Sequence, residues 1–540
     1  MSKKISKIAS IFNSHDASFC ILENGKPVIH AEYERYLRLK EPKGDSLKFM
    51  KEVVDIDDID IIVGSGKDSL PSSEIDKNTF FDIGHHKCHA ANTFFSSNID
   101  KSLIITIDGG GWEGDKDDYI ISSLTFWYGE GNKVYPLKIY ERSAASFTDT
   151  AAKTNLGGLW NNYTCKVFNL SVGYPHGAQM GTVMAMAAYG DKNKYIDEML
   201  SGVYTFKDKF LKELPRGSNP KDKRYFDVAA GLQHWTEIHF KKIIQEGINL
   251  YREKLGVEPE NLCLAGGVVL NSVCTGKLWD WFSFKDIYVT PCPGDSGITL
   301  GAAQYYWHQV LDNPRIEWKD NFTPYLGQTY SKELIYETLN NDNRIVDRLN
   351  EVNCTLHYRD VSDDDVIDLL ESQHIVSVYG GGSESGRRAL GNRSILADPR
   401  SLEMKDMINE KVKHRQWFRP FAPSILREEV KNWFEKDVSS PYMEYVINVK
   451  EEMRDKVQAI VHDNGTARLQ TVTENDNKWY YNFISKFKEK TGVPILLNTS
   501  FNDREPIVET PFDAVNCFLG TNIDAVYFRD AGILVTKEDK

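Results

Sequence analysis

The most constraining feature of the sequence is a pattern of three strands that occurs twice. KIASIF, SFCIL and PVIHAEY follow one another within residues 7–33, separated by polar turns that include Asn24-Gly25. The order is repeated by SLIITI, SSLTFWY and KVYPLKIY within residues 102–140. An Asn-Gly pair between two apolar runs is a strong hairpin signal. The repeat therefore predicts two similar halves that face each other across a cleft.

Polar side chains follow the first strand of each copy. Asn13-Ser14-His15-Asp16 ends the first, and Asp108 ends the second, where three glycines come next. Glycine lets a backbone approach a ligand closely, so the Asp108 carboxylate could stand over the cleft, although a simple Asp-Gly turn explains the residues equally well. Asp295, in PGDSG, has the same character.

The segment GHHKCHAANTFF concentrates histidines near residue 85. His85 and His89 are spaced i,i+4, and His86 and His89 are spaced i,i+3, so either pair places two imidazoles on one helix face. Such a pair suits a divalent metal, with Asp108 or Asp295 as oxygen ligands. The alternative is a helix start with solvent-facing histidines. We expect Cys88 to be a bystander, and His86 to orient or contact the substrate.

Glycine turns mark two further sites in the first 300 residues. NLCLAGGVVLNS reads as a short strand that runs into a Gly-Gly turn, and IYVTPCPGDSGITLGAA reads as a strand, a Pro-rich turn with an Asp, and a helix start. This arrangement is typical of phosphate binding, because backbone N–H groups and the helix N-terminus face the anion. The polar segment 310–345, which contains two prolines, predicts a boundary between domains at 1–335 and 336–540.

The later part of the chain contains a basic region in an acidic protein. Residues 387–419 hold nine Lys or Arg against four Asp or Glu, whereas the whole chain has a net charge of −13. Glycines and arginines in GGGSESGRRALGNR favour a small phosphorylated ligand. RNA and a solvated helix face are the alternatives.

A second motif in this part of the chain is LLNTSFN, at the end of an apolar strand. Its Asn498, Ser500 and Asn502 occupy alternate positions, so their side chains share one face of the strand. These side chains either bind a ligand or form the hydrogen bonds of a turn.

Composition limits the class of protein. The net charge argues against nonspecific nucleic-acid binding, and no apolar run approaches the roughly 18 residues that span a bilayer. The N-terminus lacks the apolar segment of a secretory signal. Eight scattered cysteines without a CxxC pair are typical of reduced thiols. We therefore expect a cytoplasmic protein without membrane or nucleic-acid partners; a homodimer remains open.

Eleven segments, in order along nearly the whole chain, resemble the nodulation-protein-U type of O-carbamoyltransferases, a family that includes antibiotic-tailoring enzymes. The segments are SHDASFCILENGKPVIHAEYERYLRLK, GHHKCHAANTFF, TIDGGG, MGTVMAMAAYG, FDVAAGLQ, LCLAGGVVLNS, PGDSGITLGAA, GRRALGNRSILADPR, KVKHRQWFRPFAPS, HDNGTARLQTV and GVPILLNTSFNDREPIV. The sequence departs from the family where Arg387 replaces a usual proline and where AAYG replaces APYG.

The resemblance implies an α/β protein with two catalytic domains. The N-terminal one would be a duplicated actin-like domain similar to threonylcarbamoyl transferases, and the C-terminal one a YrdC-like domain. The latter would make carbamoyl-adenylate from carbamoyl phosphate, ATP and Mg²⁺. The former would transfer the carbamoyl group to a hydroxyl of a small-molecule or sugar acceptor, at a site that binds Fe²⁺ or another divalent ion. The acceptor pocket is expected within 140–180 and 195–225, and the acceptor itself is not predicted.

The resemblance also assigns residues. For the transfer site it implies metal ligands (His85, His89, Asp108, Asp295), catalytic residues (His15, as base or orienter of the acceptor hydroxyl, and Lys40) and nucleotide-lining residues (Gly266, Gly267, Asn271). For the C-terminal site it implies ligands of ATP and carbamoyl phosphate (Arg388, Lys413, Arg419, Arg468, Asn498, Ser500). Two other hypotheses remain: a tRNA threonylcarbamoyl-type modification enzyme, and a non-enzymatic actin-like nucleotide-binding scaffold.

Overall fold

A computed structural model describes most of the chain. The described residues are 5–65, 80–114, 119–142, 155–170, 179–201, 212, 217–219 and 221–540. The chain divides into two compact units, residues 1–318 and residues 319–540. Much of the segments 140–180 and 195–225, where the acceptor pocket is expected, lies outside the described residues.

The first unit contains two five-stranded sheets. The first sheet is formed by β1 (Lys7–Phe12), β2 (Ser18–Glu23), β3 (Lys26–Glu32), β4 (Ile61–Gly64) and β5 (Phe81–Asp82). The second is formed by β6 (Lys101–Glu113), β7 (Ile120–Glu130), β8 (Lys133–Glu141), β9 (Asn261–Ala265) and β10 (Asp286–Val289).

The two sheets have the same topology. Their strand orders are β3-β2-β1-β4-β5 and β8-β7-β6-β9-β10. In each sheet the first three strands are antiparallel neighbours, the fourth strand pairs in parallel with the central strand, and the fifth pairs in parallel with the fourth. Parallel neighbours need crossover connections, and the connections from β1 to β4, from β6 to β9 and from β9 to β10 contain described helices. The first unit therefore has the duplicated actin-like fold, which confirms the prediction from the repeated strand pattern.

Helices connect these strands and position the site. The described helices of the first unit are α1 (Tyr33–Leu37), α2 (Ser46–Val53), α3 (His85–Phe95), α4 (Leu156–Lys166), α5 (Met180–Met186), α6 (Ile196–Ser201), α7 (Lys223–Leu255), α8 (Ser272–Trp281) and α9 (Ile298–Tyr305). A Cβ at Gly301 of α9 would lie 1.9 Å from the Cys88 carbonyl oxygen of α3. Helices α3 and α9 therefore pack backbone against backbone, which brings the turn before α9 close to the histidines of α3.

This close packing gives a first prediction. Replacing Gly301 with Ala should lower the free energy of unfolding by about 1–3 kcal/mol, because the new methyl group overlaps backbone that cannot move aside easily. Gly181→Ala is the matched control: Gly181 lies in α5 with nothing within 4 Å of an added Cβ, so that change should be neutral or stabilise by up to about 1 kcal/mol. Urea denaturation measures both, and equal effects would contradict the packing account.

The second unit is built on a nine-stranded mixed sheet. Its order is β11-β19-β18-β12-β13-β17-β14-β16-β15. The strands are β11 (Cys354–Asp360), β12 (Val376–Tyr379), β13 (Arg393–Ala397), β14 (Ala422–Leu426), β15 (Tyr445–Asn448), β16 (Thr466–Val472), β17 (Ile495–Ser500), β18 (Ala525–Phe528) and β19 (Ile533–Asp539). The helices are α10 (Lys332–Asn341), α11 (Asn343–Val352), α12 (Asp363–Glu371), α13 (Leu402–Met407), α14 (Val430–Trp433), α15 (Lys478–Thr491) and α16 (Pro511–Leu519).

The two compact units divide the chain between Trp318 and Lys319. The domain boundary after residue 335 stays a prediction from the sequence. The segment in between belongs to the second unit because it hydrogen-bonds there: Gly327 N–H donates to Ser383 O, and Ser385 N–H donates to Pro324 O. Among the described residues, no helix is long and apolar enough to cross a bilayer.

Candidate metal centre and anion site

The start of α3 is fixed by a carboxylate from a neighbouring strand. Glu113, in β6, accepts hydrogen bonds from the backbone N–H groups of His86 (2.8 Å) and Lys87 (3.2 Å). The first N–H groups of a helix have no partner within the helix, and the helix dipole favours a negative charge there. Glu113 thus caps the N-terminus of α3, the helix that carries the histidine pair.

Four side chains converge at one point of the first unit. The Nε2 atoms of His85 and His89 lie 3.1 and 3.2 Å from Asp108 Oδ2. The same two nitrogens lie 3.6 and 3.4 Å from Asp295 Oδ1. One potential ligand atom from each residue lies within 4.8 Å of the others, and all four side chains are buried. We call this group the His₂Asp₂ cluster.

The backbone around the cluster leaves room for it and orients it. The His85 ring occupies the space that a Cβ at Gly111 would need. Asp108 Oδ1 accepts hydrogen bonds from the N–H groups of Gly109 (2.7 Å) and Gly267 (3.2 Å). One oxygen of Asp108 is therefore held by the backbone, while the other faces the two imidazoles.

The charges within the cluster depend on one another. Burial lowers the pKa of His89, but hydrogen bonds to Asp108 and Asp295 outweigh burial and raise it to about 9. Burial works against ionised Asp108, yet its hydrogen bonds from His85 and His89 hold its pKa well below the usual value. Burial and the Asp108 charge raise the pKa of Asp295. Two buried carboxylates this close need nearby positive charge, which a cation can supply.

The donor set fits a divalent transition metal. Two imidazole nitrogens and two carboxylate oxygens converge without rearrangement of the backbone, and this mixture suits Fe²⁺, Zn²⁺ and similar ions. A metal-bound histidine usually donates its second ring N–H to a partner. His89 Nδ1 has no hydrogen-bond partner within the described part of the chain, so the polar contacts of that ring are those of Nε2 with Asp108 and Asp295.

His15 lies beside the cluster. Its Nε2 is 3.3 Å from Asp295 Oδ2, and its Nδ1 is 3.1 Å from Asp16 Oδ2. The hydrogen bond with Asp16 is the main reason that the pKa of His15 is raised to about 10. The His15 side chain is 56% exposed, in contrast to the buried cluster. The structure therefore places His15 beside the His₂Asp₂ cluster with an exposed ring.

His86 takes no part in the cluster. Its ring is fully buried, with Nδ1 2.6 Å from Thr106 Oγ1 and Nε2–H donating to the Ser122 carbonyl at 2.9 Å. Burial lowers its pKa to about 3, so the ring is neutral. The prediction that His86 orients or contacts the substrate is wrong, because both of its nitrogens are used by β6 and β7. Cys88 is buried and lies outside the cluster, as expected.

The glycine turn near residue 266 has two parts. Gly266 has φ +97° and packs so closely on β6 that an added Cβ would lie 2.2 Å from the Ile107 carbonyl oxygen. Gly267 reaches the cluster through its bond to Asp108. The Asn271 side chain stabilises the local fold, because it accepts a hydrogen bond from Cys274 N–H and donates one to Gln233 Oε1.

Lys40, the other predicted catalytic residue, is half-buried on the segment after α1.

The second unit gathers arginines. Burial lowers the pKa of Arg388 well below its usual value, and the charges of Arg468, Arg387 and Arg419 lower it further. Burial lowers the pKa of Arg419 to about 10. The pKa of Arg468 is lowered to about 10 by burial and by Arg419. These like charges lie close enough to disfavour one another, which is the environment of an anion site. We call Arg388, Arg419 and Arg468 the arginine cluster.

Arg415 belongs beside this cluster, although the sequence did not single it out as a ligand. Its pKa is lowered well below the usual value by burial and by the charges of Arg419 and Arg468. Its guanidinium also donates to Asn409 Oδ1 at 2.8 Å and lies over the Phe421 ring. The available signal was its position in the basic region 387–419.

A buried carboxylate shapes the loop that carries Arg388. Glu384 Oε1 accepts hydrogen bonds from the N–H groups of Leu390 (2.7 Å), Asn392 (2.8 Å) and Arg393 (3.2 Å). From the sheet below, Asn498 Nδ2 donates to the Ala389 carbonyl at 3.1 Å. The loop GRRALG is therefore held on both sides. Sequence reasoning missed the role of Glu384.

Lys413 and Ser500 meet at the end of β17. The Lys413 ammonium donates to the Ser500 carbonyl, to the Asn502 carbonyl (2.7 Å) and to Asn502 Oδ1 (2.8 Å). Ser500 Oγ donates to the same Asn502 oxygen at 2.7 Å. These contacts bring the two predicted residues together, and they use most of the hydrogen-bonding capacity of the ammonium group.

Comparison with known families and relatives covers both units. The model of the carbamoyltransferase N-terminus matches residues 68–304, and that of the carbamoyltransferase C-terminus matches residues 367–536. Nodulation protein NolNO of Sinorhizobium fredii is 32% identical over 95% of this chain and 78% of its own length. Nodulation protein NolO of Bradyrhizobium diazoefficiens is 33% identical over 82% and 77%. An uncharacterised Synechocystis protein is 34% identical over 82% and 74%.

Solved structures resemble the chain more distantly. Full-length HypF, crystallised with phosphate and nucleotide, is 14% identical and has a TM-score of 0.36, with 58% of this chain and 57% of HypF covered. A ROK family protein of Streptococcus pneumoniae, solved with sucrose, is 11% identical, with a TM-score of 0.28, and 57% of this chain and 99% of that protein are covered. The actin-like fold of the first unit is identified from the strand order of its two sheets.

Proposed function

The chain belongs to the carbamoyltransferase family, and from that premise we propose that it is an ATP-dependent O-carbamoyltransferase acting on a hydroxyl of a small molecule or sugar. The observation that carries the proposal is the His₂Asp₂ cluster with the exposed His15 beside it. An arginine cluster in the second unit suits two phosphate-bearing substrates.

The arginine cluster supports an activation step in the second unit. Carbamoyl phosphate reacts with water to give phosphate and carbamate, and a carbamate oxygen attacks the α-phosphorus of ATP. Pyrophosphate leaves, and carbamoyl-adenylate remains. Arg388, Arg419 and Arg468 would hold the phosphate oxygens, because bidentate guanidinium–phosphate bonds orient the group as well as neutralise it. Mg²⁺ would accompany ATP.

The N-terminal unit would then transfer the group. The acceptor hydroxyl attacks the carbamoyl carbon, the bond to the AMP phosphate oxygen breaks, and AMP leaves. His15, whose pKa Asp16 raises to about 10, would orient the acceptor hydroxyl as a protonated ring held by Asp16 through Nδ1, and the hydroxyl proton would pass to solvent. A divalent metal held by His85, His89, Asp108 and Asp295 would supply Lewis-acid stabilisation of the charge that develops on the transferred group.

Two other functions fit less well. A tRNA-modifying threonylcarbamoyl enzyme must bind a polyanion, which a net charge of −13 opposes. A nucleotide-binding scaffold without activity gives no reason for an exposed histidine beside a buried set of metal ligands. The scaffold hypothesis predicts that replacing His85 or His89 changes only stability.

Incubation of the protein with carbamoyl phosphate, ATP and Mg²⁺, followed by mass spectrometry, tests the proposal. We expect carbamoyl-adenylate and pyrophosphate, and ATP–pyrophosphate exchange that depends on carbamoyl phosphate. Threonine with bicarbonate in place of carbamoyl phosphate should give no product. A library of hydroxyl-bearing metabolites then identifies the acceptor through carbamoylated product. Absence of both the adenylate and the exchange would refute the proposed function.

A further inference from the structure

A histidine that the proposed mechanism does not use lies beside the arginine cluster. His462 precedes β16 in a tight turn, where its N–H donates to Thr466 O at 2.7 Å and its carbonyl accepts from Gly465 N–H at 2.8 Å. Its Nδ1 lies 3.0 Å from Thr466 Oγ1. Thr466 and Arg468 are two residues apart on β16 and share one face of that strand, so this contact holds His462 at the Arg468 end of the cluster.

Hydrogen bonding determines which ring nitrogen of His462 carries the proton. Thr466 has one hydroxyl hydrogen, and it donates that hydrogen to Asn464 Oδ1 at 2.7 Å. The Thr466 oxygen must therefore accept from His462 Nδ1–H, which lies 3.0 Å away. The neutral ring then has a lone pair on Nε2. That atom is buried and has no hydrogen-bond partner among the described residues.

The ring stays neutral at ordinary pH. Burial lowers its pKa to about 3, and the charges of Arg468 and Lys405 act in the same direction. Successive side chains of a strand point to opposite faces, so Thr466, Arg468 and Gln470 share one face of β16. Thr466 orients His462, and Arg468 lies next along that face. The Nε2 lone pair is thus an acceptor placed among cationic donors.

An acceptor in this position has a specific chemical use. Carbamoyl phosphate offers phosphate and carbonyl oxygens, which arginines can bind, and an amide NH₂, which arginines cannot bind. Asn498 Oδ1 is another buried acceptor without a described partner, but it belongs to a side chain that is 1% exposed beneath the Arg388 loop. Asn498 is also held by Gln470, roughly 13 Å from Thr466 along the strand. The unpartnered Nε2 of His462, in contrast, belongs to a residue that contacts Thr466 at the start of β16, on the strand face that carries Arg468.

We propose that His462 is a specificity-determining residue that recognises the carbamoyl amide through its Nε2 lone pair, so that the site prefers carbamoyl phosphate to an acyl phosphate of the same shape. The inference rests on the proposed function. A methyl group in place of NH₂ would leave Nε2 buried without a partner, and sites built around such a hydrogen bond reject analogues that lack it.

Acetyl phosphate, in which a methyl replaces the amide, is the probe. The measurement is the ratio of kcat/KM for ATP–pyrophosphate exchange with carbamoyl phosphate to that with acetyl phosphate. We expect the wild-type ratio to exceed about 100, and His462→Leu to reduce it about 10- to 100-fold. His462→Gln, which retains an acceptor oxygen, should recover part of the ratio. His357→Leu, at an exposed position of β11, is the control and should leave the ratio unchanged.

The outcomes separate this inference from the proposed function. No exchange with carbamoyl phosphate in the wild type would refute the function itself. Exchange in the wild type that is equally fast with acetyl phosphate would overturn the inference without any variant. Equal losses with both phosphates in His462→Leu would also overturn it, because a general base or a structural residue affects both substrates alike. Failure of the Leu variant to fold leaves the wild-type and Gln measurements to decide.

Discussion

Replacing Asp108 with Asn should strongly reduce carbamoyl transfer to the acceptor and leave carbamoyl-adenylate formation unchanged. The substitution keeps the Oδ1 atom that Gly109 and Gly267 bind, so the turn should persist. It removes the negative charge that faces His85 and His89 through Oδ2. Lewis-acid stabilisation is worth several kcal/mol, so transfer should fall roughly a thousand-fold, and bound metal should be lost with it.

Two measurements on the same protein make this result interpretable. Elemental analysis of purified wild type and Asp108→Asn reports bound metal, and mass spectrometry reports carbamoyl-adenylate and carbamoylated acceptor in one reaction. Asp286→Asn is the same change at an exposed position of β10. This control should match the wild type in bound metal, in carbamoyl-adenylate and in carbamoylated acceptor. Undiminished transfer, or an equal loss of adenylate formation, would contradict a transfer site at the His₂Asp₂ cluster.

The histidine segment shows what residue spacing can and cannot establish. The i,i+4 spacing of His85 and His89 indicated a shared helix face, and the structure places both beside Asp108 and Asp295. The i,i+3 spacing of His86 and His89 was equally consistent with a ligand pair. Contacts with the second sheet distinguish the two pairs. Thr106 of β6 and Ser122 of β7 bind both ring nitrogens of His86, and both residues are distant from His86 in sequence.

Other roles depended on contacts that a single sequence does not reveal. Glu113 caps α3 from a neighbouring strand, and Glu384 binds three N–H groups of its own loop. The residues next to a glutamate in the sequence do not indicate which backbone N–H groups its carboxylate will bind in the folded protein. The duplicated fold, in contrast, was predictable because each copy repeats its own strands and turns locally. The assignments of metal, adenylate chemistry and ligand-binding residues stay predictions.

Replacing Arg388 with Met should stabilise the ligand-free protein while reducing carbamoyl-adenylate formation. In the folded protein, burial and the charges of Arg468, Arg387 and Arg419 disfavour charged Arg388. Removing one of these like charges relieves repulsion, so the melting temperature without ligand should rise. Hydrogen bonds to charged groups are worth about 1.5–3 kcal/mol each, so exchange should fall about 10- to 100-fold.

The effect of pyrophosphate on the melting temperature shows whether the arginine cluster binds anions or only contains arginines that repel one another. A ligand that binds only the folded state raises the melting temperature, so pyrophosphate should stabilise the wild type strongly and Arg388→Met weakly. Arg427→Met removes an arginine that is paired with Asp437 away from the cluster, and it should leave both exchange and the pyrophosphate response unchanged. A lower ligand-free melting temperature in Arg388→Met would show that the arginines do not repel one another. An undiminished response to pyrophosphate would show that Arg388 does not bind the anion, and the phosphates would then need another site.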